Sequence, residues 1–241
     1  METKERPIIF GTWAIPKIQD GSKTQTRRTK GLKKINEHPD DWIPRWDLSD
    51  YISTCFTNKT TLEGLQIKCP YGQVGDRLYV KETWRIVGWW EGQPYYLEYK
   101  DGTRMDEPGD SSEYDEEKYI TYAQQCDDDC IKAGIKAQED GTFIFFESEP
   151  VPTRWRPSIF MPRWASRIDL EITDIRVERL QNISREDVAT EGCPWQRGDG
   201  PWDDVKQAKE WFANLWDSIN GKKYPWDSNP WVWVISFRRI R

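Results

Sequence analysis

A short basic segment near the start of the chain carries residue types that can hold phosphate. Residues 21–28 read GSKTQTRR, with one lysine, two threonines and two adjacent arginines. Charged and hydroxyl side chains of this kind bind phosphate oxygens by charge and hydrogen bonding. The segment is not a Walker A loop, because Ser22 rather than glycine precedes Lys23. We nominate Arg27 and Arg28 as nucleic-acid contacts, and a solvated basic turn is the alternative.

A second candidate region reads KCPYGQVGDRLYVKETW over residues 68–84. Its glycines predict turns that lead into a strand at 77–81. We expect Glu82 and Trp84 on one face at the end of that strand, where a carboxylate and a ring could contact a nucleobase. A core tryptophan beside a surface glutamate is the alternative.

A third region combines arginines with tryptophans. Residues 154–167 contain four arginines and no acidic residue. Cationic side chains next to aromatic planes suit single-stranded RNA or DNA. The nominated contacts are Arg154, Trp155, Arg156, Arg163 and Trp164. Tryptophan is also a large core residue, so a core role stays open for the two rings.

Histidine and cysteine usage excludes several kinds of site. His38 is the single histidine, so a multi-histidine metal site and a serine–histidine–aspartate triad are excluded. The five cysteines are an odd number, which argues against a disulfide framework. Cys126 and Cys130 could supply half of a zinc site, but structural zinc needs four ligands. We predict neither a metal nor a cofactor.

The net charge of −6 conceals strong segregation of charge. Residues 101–130 contain eleven acidic and two basic residues, whereas residues 17–34 contain seven basic and one acidic residue. The chain is therefore a basic protein with one acidic segment. Its 15 tryptophans argue against disorder. It has no apolar stretch long enough for a membrane span or a secretory signal, so we expect a soluble, cytoplasmic protein.

The elements that must position these residues are both helical and extended. We predict a strand starting at Ile168 and a central strand from Trp231, because the latter is apolar on both faces. Ser184 predicts the start of a short helix that ends at Gly192. A longer helix is predicted from Pro201 to Asn220. The tryptophans expected in the core are Trp211, Trp216, Trp231 and Trp233.

Two stretches have weak periodicity. We interpret residues 31–68 as an ordered loop and residues 101–118 as an exposed loop.

Several blocks, in this order, resemble the ASCH domain of the PUA-like superfamily, in the long version found in bacteriophages and prophages. The blocks are KTQTRR, CPYGQVGDRLYVKETW, RWRPSIFMPRWASRIDLEI, ISREDVATEG and LWDSINGKKYPWDSNPWVWVISFRRI. The resemblance spans both ends of the chain. It implies one α+β domain over 1–241, with insertions at about 31–67 and 88–150. The implied fold is a PUA-like, β-barrel-like sheet with flanking helices and a large acidic insertion.

The resemblance also implies a function. Its cleft suits RNA or a modified nucleobase or nucleotide, with DNA as a further partner, in the cytoplasm of a bacterial host. Some small members remove the acetyl group from N4-acetylcytidine. Their catalytic set falls on Lys23 as base, Thr26 as nucleophile and Glu191 as the orienting or proton-donating acid. Other members are ribonucleases or simple binders. Apart from the resemblance, a third function class stays open: a phage-encoded interaction protein whose acidic segment mimics nucleic acid and inhibits a host nucleic-acid enzyme.

Overall fold

The computed structural model describes residues 3–45, 47, 53–90, 93–106, 116–144, 150–194 and 205–241. This part of the chain mixes helices with three β-sheets, which confirms the α+β class. The strands are β1 (Glu5–Ile9), β2 (Gln25–Arg28), β3 (Trp42–Pro44), β4 (Ser53–Asn58), β5 (Gly64–Lys68), β6 (Arg77–Lys81), β7 (Trp84–Trp90), β8 (Gln93–Tyr99), β9 (Arg104–Asp106), β10 (Asp169–Arg179) and β11 (Trp231–Arg239). The helices are α1 (Ile15–Gln19), α2 (Lys33–Glu37), α3 (Glu116–Lys132), α4 (Arg185–Thr190) and α5 (Val205–Asn220). None of the helices in the described ranges has the length and apolar character that crossing a membrane requires.

The largest sheet has the strand order β1-β6-β10-β11-β2. β11 pairs antiparallel with β10 on one side and with β2 on the other. Its first five residues are all buried, which confirms the prediction of a central strand that is apolar on both faces. In its pairing with β2, Trp233 lies opposite Arg28 and Ile235 lies opposite Thr26.

Helix α4 begins where the sequence predicts. The Ser184 Oγ accepts a hydrogen bond from the backbone N–H of Asp187 at 3.0 Å, which is the geometry of an N-cap. The helix ends at Thr190, and Gly192 follows with a φ of 89°. Glycine adopts this left-handed conformation without steric cost.

Helix α5 packs its apolar stripe against β11. It ends at Asn220 as predicted, while the predicted start at Pro201 lies outside the described residues. The core cluster contains Leu180, Ile183, Val188, Cys193, Ala208, Phe212, Trp216, Val232 and Val234. Trp216, Trp231 and Trp233 are buried as predicted, and Trp211 is partly buried.

The prediction that residues 31–68 form a loop is wrong. They contain α2 and a small antiparallel sheet in the order β3-β4-β5. The three strands are three, six and five residues long, and many of their residues are exposed or half-buried. Such short strands alternate too weakly for a sequence pattern to reveal them. Phe56 anchors the sheet, because its ring packs edge-on against Trp231 at 5.3 Å between centroids.

Residues 79–167 contain the sheet β7-β8-β9 and helix α3. The loop prediction for 101–118 is wrong over β9 and at the start of α3, and residues 107–115 lie outside the described residues. Glu82 and Trp84 do not share a strand end, because β6 ends at Lys81 and Trp84 begins β7. The core cluster here contains Trp84, Ile86, Leu97, Tyr99, Tyr119, Cys126, Met161, Trp164 and Ala165.

Backbone contacts divide the chain into two compact units. The first unit consists of Met1–Arg6, Pro16–Leu78 and Ile168–Arg241, and the second of Pro7–Ile15 and Tyr79–Arg167. Segment 31–67 belongs to the first unit and segment 88–150 to the second. The organisation as one domain with two insertions stays a prediction.

Candidate functional site

Lys23 is held in place by backbone hydrogen bonds just before β2. Its own N–H donates to the carbonyl of Lys17 at 2.8 Å, and the next N–H donates to the carbonyl of Thr190 at 2.9 Å. An isolated β-bridge joins Lys23 to Glu191. The fold therefore brings the predicted base and the predicted acid together from opposite ends of the chain.

The ammonium group of Lys23 donates to three oxygens. These are Glu191 Oε2 at 2.7 Å, the Glu191 carbonyl at 2.8 Å and the Gln25 carbonyl at 2.9 Å. Lys23 is 2% exposed. Burial lowers the pKa of Lys23, the Glu191 carboxylate opposes that shift, and the Arg27 and Arg28 charges add to it. A lysine with a lowered pKa is a better candidate for proton transfer than an exposed one.

Arg27, on β2, contacts three carboxylates. Its Nη1 lies 3.0 Å from Glu191 Oε1, and its Nη2 lies 2.9 Å from Asp187 Oδ2 and 2.6 Å from Glu178 Oε1. The guanidinium also lies over the ring of Phe212, 5.6 Å from its centroid. Arg27 is therefore engaged by acidic side chains inside the first unit rather than presented on a surface.

Six side chains of the first unit form a buried or half-buried charged network. They are Lys23, Arg27, Arg176, Glu178, Asp187 and Glu191. Three are basic and three acidic, so their formal charges cancel. Burial favours a raised pKa at Asp187, but Arg27 and Arg176 hold the pKa of that carboxyl below its ordinary value. The fold thus neutralises part of the basic segment with acids from β10 and α4.

Thr26 and Arg28 belong to the other face of β2. Successive strand residues point to opposite faces, so Thr26 and Arg28 lie on the side opposite Gln25 and Arg27. Thr26 is buried and Arg28 is half-buried. The side chain of the predicted nucleophile therefore leaves β2 on the face opposite Arg27, while the Lys23 ammonium lies against the peptide bond that joins Gln25 to Thr26.

Hydrogen-bond donors gather on this second face, which we call the donor face and define by Arg28, Lys30, Tyr71 and Trp233. The Trp233 Nε1 is buried and has no hydrogen-bond partner in the described part of the chain. Gly31, the residue after Lys30, has a φ of 87°. A Cβ added to this glycine would stand 3.9 Å from the Trp233 Nε1. The Lys30 Nζ lies 5.9 Å from the centroid of the Tyr71 ring.

The electrostatics also link two members of the donor face. Burial lowers the pKa of Arg28, and attraction to the Tyr71 oxygen and to Glu191 opposes this shift. Burial raises the pKa of the Tyr71 hydroxyl, and Arg28 opposes that change. Each group therefore acts on the titration of the other.

Glu82 forms an ion pair with Arg167 in the second unit. Its two oxygens accept from Arg167 Nε at 2.9 Å and Arg167 Nη2 at 2.7 Å. Arg167 also binds Asp101 at 2.7 Å and lies 3.9 Å from the centroid of the Tyr99 ring. Burial raises the pKa of Glu82, and the Arg167 charge opposes that shift. Within this unit Glu82 orders an ion pair, and its nomination as a base contact stays a prediction.

Trp84 and Trp164 lie in the core of the second unit. Trp84 has no exposed surface, and Trp164 is 7% exposed and stacked on Tyr119 at 4.9 Å between centroids. Both rings therefore have the core role that the sequence left as an alternative. Arg156 is also buried: its guanidinium lies 5.5 Å from the ring centroids of both Trp84 and Tyr122.

The remaining nominated residues are more exposed. Arg154 is exposed but pairs with Asp129, with its Nε 2.8 Å from Oδ2. Trp155 is half-buried, and Arg85 and Lys100 lie over its ring at 4.4 and 4.3 Å from the centroid. Arg163 is half-buried, with its guanidinium 5.2 Å from the Tyr79 ring centroid. Of the three nominated tryptophans, Trp155 is thus the most accessible for stacking.

The cysteines of the CxxxC pair are buried on α3 as free thiols. Burial raises the pKa of Cys126 to about 11 and that of Cys130 to about 12. High pKa values disfavour the thiolate that metals and electrophiles require. Among the described residues, no group of three or more histidine, cysteine, aspartate or glutamate side chains could hold a metal ion.

Reasoning from the sequence misses several members of these clusters. Tyr71 lies within the CPYG turn, and no local pattern predicts that its ring lies near the Lys30 ammonium. Trp233 lies in an apolar strand, where nothing distinguishes it from its core neighbours. The acids Glu178 and Asp187 reach Arg27 across more than 150 residues of sequence, which no local pattern encodes.

Comparisons of this chain with protein-family models, with curated proteins and with solved structures found no match.

Proposed function

We propose that the chain binds RNA or a modified nucleobase or nucleotide at the donor face. The observation that carries this proposal is the Trp233 indole N–H, a buried donor without an acceptor in the described part of the chain. A buried donor without an acceptor is costly, so a ligand acceptor there would be favoured. The resemblance to the ASCH domain supports the same ligand class, and with it a PUA-like fold.

The chemistry of the donor face specifies the ligand further. Arginine, lysine and indole groups donate hydrogen bonds and accept none. Their complement is a ligand rich in acceptors, such as a phosphate or the carbonyl oxygens of a pyrimidine. The half-buried Tyr71 adds a ring on which a base can stack.

A pair of matched tryptophan variants tests the proposal. Trp233→Phe removes the indole N–H and keeps an aromatic ring. Trp231→Phe is the control, because the indole N–H of Trp231 already donates to the Pro39 carbonyl at 2.9 Å. We expect Trp233→Phe to weaken binding about five- to tenfold, the value of one hydrogen bond, while Trp231→Phe lowers stability and leaves affinity unchanged.

Binding is measured by fluorescence anisotropy with labelled single-stranded RNA, and by calorimetry with N4-acetylcytidine. RNA affinity should fall as salt rises, because phosphate contacts release counterions. Equal affinity in Trp233→Phe and in the wild-type protein would contradict the donor face as the site. Salt-independent RNA binding would contradict the phosphate contribution.

A second candidate function is hydrolysis of an N4-acyl cytidine, and one further observation favours it. The Lys23 ammonium has a lowered pKa and contacts the peptide bond that precedes Thr26. In this reaction the Thr26 hydroxyl attacks the acyl carbon, and Lys23, in its neutral form, takes the proton. The exocyclic amine leaves with a proton as cytidine, and water then hydrolyses the threonine ester to release the carboxylate.

Substitutions of Thr26 test hydrolysis without disturbing the charged network. Thr26→Ser keeps a hydroxyl, whereas Thr26→Val keeps the shape and removes it. We expect release of cytidine and acetate from N4-acetylcytidine with the wild-type and serine proteins, and a loss of at least about a hundredfold with valine. Lys23→Ala should also be inactive. An unchanged rate in Thr26→Val would overturn this candidate, and fragments from added RNA would indicate a ribonuclease instead.

A further inference from the structure

The second unit contains a cleft of about 1180 Å³. Its walls come from the sheet β7-β8-β9, from helix α3 and from the turn at 138–142. Its lining includes the aromatic residues Trp89, Tyr96 and Phe143 and the acidic residues Asp106, Asp127 and Asp140.

Among the described residues that line the cleft, three are acidic and one, Arg104, is basic. The Oδ1 of Asp127 accepts from the Trp89 indole at 2.9 Å, which fixes the orientation of the carboxylate. Asp140 accepts from the backbone N–H and the hydroxyl of Thr142. Asp106 forms no ion pair within the described ranges. The Nε of Arg104 lies 3.9 Å from Oε1 of Glu98, a residue that does not line the cleft.

This combination of groups fits a cation. Carboxylates attract ammonium and guanidinium groups, and aromatic faces bind the same groups through their negative quadrupole. Segment 101–130, from which Asp106 and Asp127 come, has eleven acidic and two basic residues in the sequence, so a nucleic acid would be repelled. Charge complementarity therefore points to a basic ligand.

Size and polarity indicate a protein segment rather than a small molecule. Pockets for drug-sized ligands measure roughly 300–1,000 Å³, below the volume of this cleft. Ile120 and Ile144 line it and are 43% and 59% exposed. Exposed isoleucines beside carboxylates match a chain that carries apolar residues as well as lysine or arginine.

We propose that this cleft is a docking site for a basic, partly apolar segment of a partner protein. The site lies wholly in the second unit and does not depend on the donor face or on Lys23. It gives the acidic segment a role in recognition.

The proposal is tested by calorimetry on the full chain with a short synthetic peptide of alternating arginine and leucine. Asp127→Asn is the test variant, because asparagine keeps the acceptor for Trp89 and removes the charge. Asp128→Asn is the matched control, since Asp128 is the next residue on α3, is exposed and does not line the cleft. We expect Asp127→Asn to weaken peptide binding and Asp128→Asn to change it less than about twofold. Adding Asp106→Asn to Asp127→Asn should bring the loss to at least about tenfold.

Three comparisons complete the test. A peptide of alternating glutamate and leucine should not bind, and Tyr96→Ala should weaken binding of the arginine peptide. RNA should not compete for the cleft. Equal losses in Asp127→Asn and Asp128→Asn would show general charge attraction and overturn the proposal, as would displacement of the peptide by RNA.

Discussion

The two units accommodate a buried arginine in different ways. In the first unit Arg27 contacts three carboxylates, and its charge is balanced within the charged network. In the second unit Arg156 lies over two aromatic rings and donates to Gln125 Oε1 at 3.2 Å. No carboxylate of the described residues forms an ion pair with Arg156.

Arg27 and Arg156 differ in the groups that would be left behind if the arginine were replaced. Without Arg27, three buried or half-buried carboxylates lose a shared partner. Removal of one member of a buried ion pair costs about 3–5 kcal/mol, because an uncompensated charge is left behind. Without Arg156, neutral groups and rings remain, which a methionine can cover. Acid pairing therefore makes a residue hard to replace, whereas ring packing makes it easier to replace.

The largest expected effect is that of Arg27→Met. We expect the free energy of unfolding to fall by about 3–5 kcal/mol, because Glu178, Asp187 and Glu191 lose a common cation. Urea denaturation measures the loss as a shift of the midpoint. The control is Arg238→Met, since Arg238 pairs with Glu171 on the surface and should cost less than about 1 kcal/mol. Similar losses in the two variants would contradict a special role for the charged network.

The second prediction concerns coupling inside that network. Glu191→Gln leaves the Lys23 ammonium facing a neutral amide, and we expect a loss of about 3 kcal/mol. Lys23→Met should cost a similar amount. The double variant should lose less than the sum of the two, with an interaction energy of about 1–3 kcal/mol. Additive losses would show that the 2.7 Å contact between Lys23 and Glu191 contributes nothing to stability.

The comparison also marks what a sequence can predict. The N-cap at Ser184, the central strand β11 and the end of α5 follow from local patterns, and all are found where expected. Local patterns fail where contacts are distant. The acids that neutralise Arg27 are more than 150 residues away, and the rings beside Arg156 come from β7 and α3.

The candidate site follows the same division. The resemblance predicted a shared site for Lys23, Thr26 and Glu191, and the fold brings the lysine and the glutamate into contact. The position of Thr26 depends on its pairing with Ile235, and the pairing of Trp233 with Arg28 creates the donor face. Strand register across the sheet is a property of the whole fold, so neither feature could be read from the motif.

A smaller effect is expected for Arg156→Met. The variant loses two cation–π contacts and hydrogen bonds to neutral acceptors, and we expect a cost of about 1–2 kcal/mol. Methionine fills a similar volume and adapts to irregular packing between Trp84 and Tyr122. The measurement is the same urea denaturation as for Arg27→Met. A cost equal to that of Arg27→Met would abolish the contrast between the two units.

The smallest expected effects are opposite pH dependences of one carboxyl in each unit. Asp187 has a lowered pKa in the folded state because, although burial opposes it, Arg27 and Arg176 favour its charged form. Its contribution to stability is present above the ordinary aspartate pKa and is lost as pH falls through the lowered pKa. Glu82 has a pKa raised by burial despite its contact with Arg167. Its contribution is present below the ordinary glutamate pKa and is lost as pH rises through the raised pKa.

The variants Asp187→Asn and Glu82→Gln separate these two contributions. As pH rises, Asp187→Asn should become less stable relative to the wild-type protein, and Glu82→Gln should become more stable relative to it. Unfolding free energies measured across the acidic and neutral range test both signs. The prediction fails if the difference in unfolding free energy between variant and wild type changes with pH in the same direction for both variants. The same factor, either pairing with arginine or burial, would then dominate at both carboxyl groups.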